Sequence, residues 1–325
     1  MSAVKNIALR LIPFLAAYLI VLALLNLGII DDYYFATLVT ICINIILAAS
    51  LNLVVGFTGQ LSLGHAGFMA IGAYTCAIIT MRMPTLLGFV IGVFAGAALA
   101  AVAGVLVGLP TLRLRGDYLA IATLGMAEII RVAVLNMDDV TNGAAGLSGI
   151  PRFVDWNSLF LFTALTLALL WNYIRSSQGR RAIAVREDEI AAEAIGINTT
   201  RAKVQAFTIG AFFAGVGGAL YASYFYVLKP EQFGFLKSID ILVIVVLGGL
   251  GSMTGTIIAA ALLAIVSVML ADIASARMIV YALLLILTMI FRPGGLMGSR
   301  ELSLKVFGLG KKKDDAKPAE KEVAQ

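Results

Sequence analysis

Long apolar runs recur along almost the whole chain, and they constrain its fold more than any other feature. Several reach about 18 residues or more, which is the length that an α-helix needs to cross the hydrocarbon core of a bilayer. The runs are continuous and do not alternate between polar and apolar residues, so a transmembrane β-barrel is excluded. Only 13% of the residues are charged, against about 25% in soluble proteins. The sequence therefore predicts an all-α, polytopic helical integral membrane protein.

The apolar runs predict about ten membrane segments, one of them broken or re-entrant. Most Lys and Arg residues fall in the loops of one face, which is typical of cytoplasmic loops, so both termini are predicted to be cytoplasmic. The segment 236–250 is short for a crossing, because a rise of about 1.5 Å per residue does not cover the ~30 Å core. The predicted segments are approximately 11–30, 35–55, 61–81, 85–109, 118–136, 157–174, 204–228, 236–250, 255–273 and 277–291.

Two stretches differ from the apolar runs. Residues 175–203, which we call the charged segment, concentrate basic and acidic side chains between two spans and are predicted to form a cytoplasmic coupling loop. Its residues Ile183, Ile190, Ala194 and Ile197 fall on one face of a helix, which could insert into a groove of a soluble subunit or form an ordinary solvated loop helix. Residues 1–307 are predicted to be the transmembrane domain, and residues 308–325 a disordered cytoplasmic tail, because that stretch has almost no apolar content.

Glycines and polar residues interrupt the apolar pattern between the second and third predicted spans, at residues 56–68. Unwound backbone within a membrane is tolerated only where it is buried in protein or lines a water-filled cavity. We therefore predict a translocation pathway whose side chains offer hydrogen bonds to a polar solute. The alternative is a Gly-rich turn with small packing residues and a structural histidine, and the sequence leaves both open. The candidate pathway residues are Thr58, Gln60, Ser62 and His65.

A second glycine-rich stretch, residues 141–151, is predicted to be an external loop. It could cradle a carboxylate or dock an extracytoplasmic partner, and an ordinary structured loop is the alternative. Its candidate docking residues are Thr141, Asn142, Gly143 and Gly146.

Charges inside predicted spans suggest function by default. Glu128 and Arg131 are three residues apart on a predicted helix, so mutual neutralisation is favoured over a proton relay. The same caution applies to Asp240.

The sequence contains no Gly-x-x-x-x-Gly-Lys-Ser/Thr phosphate loop and no Cys/His/Asp cluster with metal spacing. With one histidine, His65, in a membrane segment, no catalytic site is predicted, and neither a cofactor nor a metal is expected. The net charge of +5 belongs mostly to loops of one membrane face, so it does not indicate nucleic-acid binding. If transport is active, its energy comes from another chain or from an ion gradient.

Several motifs resemble the permease family of ABC importers for branched-chain amino acids, and the M-type subunit is the nearest match. They are residues 51–75, 112–151, 179–207 and 244–256, with Arg292 and Pro293 before the Gly-Leu296 pair. The resemblance implies a permease in the bacterial inner membrane that transports Leu, Ile or Val. It also implies three kinds of partner: a homologous H-type permease, two cytoplasmic ATPases and an extracytoplasmic binding protein.

Permeases of this kind carry a cytoplasmic Glu-Ala-Ala-x-x-x-Gly signature that docks on the ATPase. This chain retains the two alanines and the glycine, whereas Ile190 replaces the glutamate and Glu189 lies one place earlier. The resemblance thus implies docking by a whole helix rather than by one glutamate. The predicted coupling residues are Arg186, Glu187, Asp188, Glu189, Ile190, Ala192, Glu193 and Gly196.

Two other functions remain open at this stage. Urea and short amides use closely similar permeases, so the cargo could differ within the same family. An ion-coupled secondary transporter working alone is an alternative from another class, with Glu128 and Asp240 as its coupling carboxylates.

Overall fold

A computed structural model of the chain describes residues 18–25, 27–28, 31–112, 114, 116–270, 274–292 and 294–298. Within these residues the fold is almost entirely helical. The helices are α1 (18–25), α2 (Asp32–Thr58), α3 (His65–Arg82), α4 (Leu86–Thr111), α5 (Asp117–Leu135), α6 (Asp138–Thr141), α7 (Trp156–Arg175), α8 (Ser177–Glu187), α9 (Glu189–Ala194), α10 (Thr199–Phe225), α11 (Phe235–Gly248), α12 (Met253–Met269) and α13 (Ala274–Phe291). Short 3-10 turns occupy Gly143–Ala145 and Pro230–Phe233.

The helix bundle has two distinguishable ends. The charged segment lies at one end, where α8 and α9 precede α10. At the other end, β1 (Leu147–Ser148) pairs antiparallel with β2 (Val227–Leu228), directly after α10. We call these the charged end and the hairpin end. Because α10 has 27 residues, at a rise of about 1.5 Å each it separates the two ends by roughly 40 Å.

Helices α2 and α10 form the centre of the bundle, with 78% of the most apolar window of each buried. Helices α3, α4 and α10 meet through glycines that permit close backbone contact. A Cβ added to Gly72 would lie 2.1 Å from the carbonyl oxygen of Gly215, and one added to Gly96 would lie 2.8 Å from that of Gly72. Only glycine fits such a crossing, because any side chain would force the backbones apart.

Several helices at the periphery keep an apolar face exposed. Five helices in the described part of the chain, α2, α4, α5, α7 and α10, are long and apolar enough to cross a membrane, and α12 is a shorter apolar helix of 17 residues. On α4, large side chains such as Leu86, Phe94 and Leu106 are more than half exposed. Exposed apolar faces on long apolar helices are what a protein solvated by lipid presents, and they support the predicted multi-pass membrane fold.

The helices match the predicted spans within a few residues, from α2 for 35–55 to α13 for 277–291. Half of the predicted first span, 11–30, and all of the predicted tail lie outside the described residues, so the count of about ten stays a prediction.

The short segment 236–250 becomes α11, a helix of 14 residues. It begins next to Glu128 and Arg131 of α5, where a Cβ on Gly234 would lie 3.8 Å from Arg131 Cδ. It ends beside Gly251, whose Cβ would lie 2.9 Å from a guanidinium nitrogen of Arg186, at the charged end.

Candidate functional site

The interruption between α2 and α3 is a non-helical segment that is mostly buried or half-buried, with Gly59 exposed at its start. Helix α2 ends at Thr58, where Gly59 adopts a left-handed backbone (φ 70°) that favours glycine. Residues 59–64 are not helical. The first residue of α3, His65, is hydrogen-bonded to Ser50, eight residues before the end of α2. At about 1.5 Å per residue, the segment thus runs back roughly 12 Å into the bundle before α3 begins.

Neighbouring helices hold this re-entrant segment in place. The Leu63 backbone N–H donates to Thr123 Oγ1 of α5 (3.1 Å), and the Ala66 N–H donates to Ser238 Oγ of α11 (3.2 Å). A Cβ on Gly64 would lie 2.6 Å from the Thr123 carbonyl oxygen, so α5 packs directly on the backbone of the break. Buried backbone donors are therefore paired with hydroxyls from two other helices, as unwound backbone in lipid requires.

The four predicted pathway residues are all buried, but their partners differ. Thr58 donates to the Val54 carbonyl of its own helix (2.5 Å), and the Ser62 hydroxyl accepts from the Gly64 N–H (3.4 Å). The Ser50 hydroxyl donates to the Leu47 carbonyl (2.9 Å), so it accepts a hydrogen bond from His65 Nε2 (2.8 Å). His65 is therefore a hydrogen-bonded structural histidine in this conformation.

Gln60 is the exception among these four. Its side chain is 3% exposed, and within the described part of the chain neither its amide nitrogen nor its amide oxygen has a hydrogen-bond partner. Leaving a buried polar group unpaired costs about 1–3 kcal/mol. An amide kept at that cost, at the turn that begins the re-entrant segment, has its N–H donors and its carbonyl acceptor free to bind a ligand.

A buried asparagine on α2 ties this region to α12, and the sequence reasoning missed it. The Asn52 amide nitrogen donates to the Ser252 carbonyl (3.0 Å) and to Thr256 Oγ1 (2.8 Å). Its oxygen accepts from the Gly251 N–H (2.9 Å). An amide in the middle of an apolar span is itself a signal of function or packing, and that signal could have identified Asn52.

The charged segment differs from the single amphipathic helix that the sequence predicted. It forms two helices, α8 and α9, because Asp188 leaves the helical conformation and caps α9 by accepting from the N–H groups of Ile190 (2.9 Å) and Ala191 (3.0 Å). The predicted stripe is therefore wrong: Ile183 packs on the main core, Ile197 packs near Val185, and Ile190 points away from both.

The acidic residues of the charged segment make contacts within the chain. Glu187 pairs with Arg186, and Glu189 pairs with Lys203 of α10 (2.6 Å). Glu193 accepts a hydrogen bond from the Thr199 hydroxyl (2.8 Å). Glu189 and Glu193 thereby hold α9 against the start of α10, and the two ion pairs partly neutralise the charges of Glu187 and Glu189.

Two retained residues of the importer signature shape this fold. Ala192 is 2% exposed and packs in a small cluster with Val185 and Ala202, where a larger side chain would not fit. Gly196 has φ 84°, which favours glycine, and it makes the turn between α9 and α10.

Large apolar side chains remain at the outer surface of this fold. Ile190 and Ile195 are each 76% exposed, on and directly after α9.

Arg186 connects the charged segment to the break. One guanidinium nitrogen donates to the Gly56 carbonyl in the last turn of α2 (2.8 Å), while the other two nitrogens hold Glu187. A Cβ on Gly59 would lie 3.0 Å from Arg186 Cγ, so the arginine stem covers the residue that begins the break. A cation at a helix C-terminus is favoured by the helix dipole, and here it is shared with an acidic neighbour.

The predicted external loop is a structured turn at the hairpin end. Asn142, Gly143 and Gly146 all have positive φ, and the Asn142 amide donates to the Gly146 carbonyl (3.1 Å). Thr141 is buried and donates to the Val134 carbonyl (2.6 Å). Of the four candidate docking residues, only Asn142 is exposed.

The intramembrane charges on α5 pair as predicted. Arg131 Nε lies 2.7 Å from the Glu128 carboxylate. Asp240 is half-buried on α11, and it too has an interaction partner within the protein. No group of three or more His, Cys, Asp and Glu residues in the described ranges is arranged to hold a metal ion.

Comparison with known proteins identifies the family. Residues 33–291 match the model described as the permease component of branched-chain amino acid transport systems. The chain is 39% identical to the high-affinity branched-chain amino acid transport system permease protein LivM of Salmonella typhimurium over 298 residues, which cover 81% of this chain and 70% of that protein. LivM of Escherichia coli gives the same values. LivH of Escherichia coli, a permease named for the same type of system, is 33% identical over 147 residues, covering 44% of this chain and 47% of that protein. The family resemblance seen in the sequence is thereby confirmed, with a higher identity to LivM than to LivH. The chain belongs to the permease family of branched-chain amino acid transport systems.

Proposed function

We propose that this chain is a transmembrane permease subunit of an ATP-driven importer for the branched-chain amino acids Leu, Ile and Val. It forms the translocation pathway and couples to separate ATPase subunits. The observation that carries this proposal, beyond family membership, is the contact from Arg186 to Gly56. It joins the charged segment directly to the last turn of α2, just before the break.

The pathway is assigned to the surroundings of residues 58–65. A zwitterionic amino acid needs hydrogen bonds for its carboxylate and ammonium groups and an apolar wall for its side chain. The buried N-terminus of α3 favours negative charge, and the unpaired Gln60 amide offers a donor and an acceptor. Discontinuous helices with buried ends serve this purpose in many transporters. Thr58, Ser62 and His65 shape the break that places Gln60.

Coupling is assigned to the whole of α8 and α9. The exposed side chains of Ile190 and Ile195 are suited to insert into an apolar groove of an ATPase. A displacement of α9 would pass to α8 across the Asp188 turn and to the end of α2 through Arg186. Glu187, Asp188, Glu189, Glu193, Ala192 and Gly196 then keep the two short helices in register, and this role replaces direct contact by a single glutamate.

The proposed partners follow from the family. The relatives include both LivM and LivH permeases, which supports pairing with a second, homologous H-type permease. Two ATPases would dock at the charged end, and an extracytoplasmic binding protein would dock at the hairpin end near Asn142. The complex is placed in a bacterial inner membrane, with the charged end and both termini facing the cytoplasm.

Docking by exposed isoleucines predicts a specific loss. Ile190→Ser and Ile195→Ser together remove two apolar anchors that make little contact within the chain, so we expect an unchanged yield of folded chain and at least a ten-fold loss of co-purifying ATPase. Met137→Ser, at the hairpin end with 49% exposure, is the matched control. Normal ATPase recovery with the isoleucine variant would refute the docking assignment.

Reconstituted transport tests the function as a whole. Proteoliposomes that contain this chain, its second permease, the ATPases and the binding protein should accumulate labelled leucine only when ATP is inside. Accumulation of labelled urea instead of leucine would assign another cargo. Gradient-driven uptake by this chain alone would indicate a secondary transporter, although Glu128 is already paired with Arg131.

A further inference from the structure

Two adjoining cavities lie at the charged end, beside the junction of α7 and α8. The first has a volume of about 380 Å³, and its polar lining comes from Gln178 and Arg181 of α8 and from Asn198, Arg201 and Gln205 near the start of α10. Ile195, which is also assigned to ATPase docking, is among its apolar lining residues. The second, of about 510 Å³, lies along the last turns of α7, with Leu169 and Tyr173 among its walls. Gln178 lines both cavities, so they adjoin at this residue, and we call the two together the recess.

The first cavity is positively charged. No acidic residue lines it. The carboxylates of the charged segment are bonded elsewhere: Glu187 to Arg186, Glu189 to Lys203 and Glu193 to Thr199. In the described part of the chain, the guanidinium groups of Arg181 and Arg201 take part in no ion pair or hydrogen bond. By contrast, the neighbouring Arg180 donates to the Arg175 carbonyl (2.7 Å) and to Ser177 Oγ (3.2 Å). Two unpaired guanidinium groups in one concave site suit an anion with several oxygens, such as a phosphate.

The second cavity continues onto an apolar surface. Leu161, Leu165 and Leu169 are each more than 40% exposed and recur every four residues, so they form a stripe along one face of α7. This helix is long and apolar enough to cross a membrane. At the top of the stripe the Tyr173 hydroxyl is buried and has no hydrogen-bond partner among the described residues. The recess therefore passes from an apolar groove, through an unsatisfied hydroxyl, to two arginines.

We propose that this recess binds an anionic phospholipid. The phosphate lies between Arg181 and Arg201, the Tyr173 hydroxyl donates to an ester oxygen, and an acyl chain follows the leucine stripe of α7. Basic recesses where spans meet the cytoplasmic surface bind acidic lipid headgroups by the same physics. A lipid is favoured over a free phosphate because the stripe adds apolar area that a free ion does not use. The bound lipid would brace the start of α8, the element that carries Arg186.

The test uses the full-length chain in mild detergent, with phosphatidylglycerol binding measured by native mass spectrometry and by the shift in melting temperature. Arg181→Gln and Arg201→Gln should each weaken phosphatidylglycerol binding about five-fold, and the double variant by about the product of the two. Arg180→Gln removes the same charge one residue away and should leave this binding within two-fold. Phosphatidylcholine should give no stabilisation at any variant.

Each other outcome overturns the proposal. Equal effects of Arg180→Gln and Arg181→Gln would reduce the site to a diffuse surface charge. Stabilisation by inorganic phosphate as strong as that by phosphatidylglycerol would assign a free anion. Unchanged lipid binding together with lost ATPase co-purification in the double variant would assign the recess to an acidic side chain of the ATPase.

Discussion

Asn52 is the side chain whose replacement tests most directly how the centre of this bundle is held together. It is fully buried and makes three hydrogen bonds to Gly251, Ser252 and Thr256. Asn52→Leu keeps the branching at Cγ, although leucine is larger, and it removes all three hydrogen bonds. It leaves the Gly251 N–H unpaired, while the Ser252 carbonyl keeps the Thr256 hydroxyl (2.8 Å). Interhelical hydrogen bonds in membranes average about 0.6 kcal/mol, and an unpaired buried donor costs about 1–3 kcal/mol. We expect a loss of about 3–5 kcal/mol, or a melting temperature lower by roughly 5–10 °C.

Two buried cysteines of the chain can report its thermal unfolding in this measurement. Its two cysteines, Cys42 and Cys76, are both free and buried, so a thiol-reactive fluorescent maleimide labels them only as the bundle opens on heating in detergent. Thr40→Val on the same helix is the matched control, because the Thr40 hydroxyl donates only to the Ala36 carbonyl of its own turn (2.9 Å) and its loss should shift the midpoint by less than about 2 °C. Equal midpoints for Asn52→Leu and Thr40→Val would refute the reasoning.

Two further predictions concern glycine packing and the unpaired amide. A Cβ at position 72 would lie 2.1 Å from the Gly215 carbonyl oxygen, so we expect Gly72→Val to lower the stability by about 3 kcal/mol or more in the same thermal assay. Gly125→Ala is the control: its Cβ meets no heavy atom within 4 Å, and its stability should stay within about 0.5 kcal/mol of the unchanged chain. Gln60→Leu removes two buried polar atoms that lack partners, so we expect stability to rise by about 1–2 kcal/mol while leucine uptake falls at least ten-fold. A lower melting temperature, or a stabilised variant with normal uptake, would contradict the pathway role of Gln60.

Much of the fold follows from local sequence pattern. Apolar runs such as 35–55 and 85–109 predicted α2 and α4 within a few residues, because the length and continuity of an apolar segment can be read directly along the sequence. The glycines at 56–64 indicated an interruption between the second and third spans but left open whether it is an unwound pathway segment or a turn. The spacing of Glu128 and Arg131 predicted their ion pair. A pattern of this kind reports on a residue and its close neighbours along the chain.

The interruption of the charged segment at Asp188 escaped such reasoning. Isoleucine spacing favoured one continuous helix, whereas the Asp188 cap and the packing of Ala192 on Val185 and Ala202 favour two. Several weak local preferences competed there, and contacts with α10 decided between them.

What the sequence determined by itself is therefore a helical membrane protein with a glycine-rich interruption after its second span, a charged loop and a family. Only the tertiary structure decided that Arg186 turns inward to Gly56 while Ile190 turns outward, and that Asn52 joins α2 to residues about 200 positions further along. It also decided which polar groups are satisfied, leaving Gln60 without a partner while His65 has one. The physical reason is that hydrogen bonds and burial depend on distances between segments remote in sequence, which no periodicity along the chain encodes.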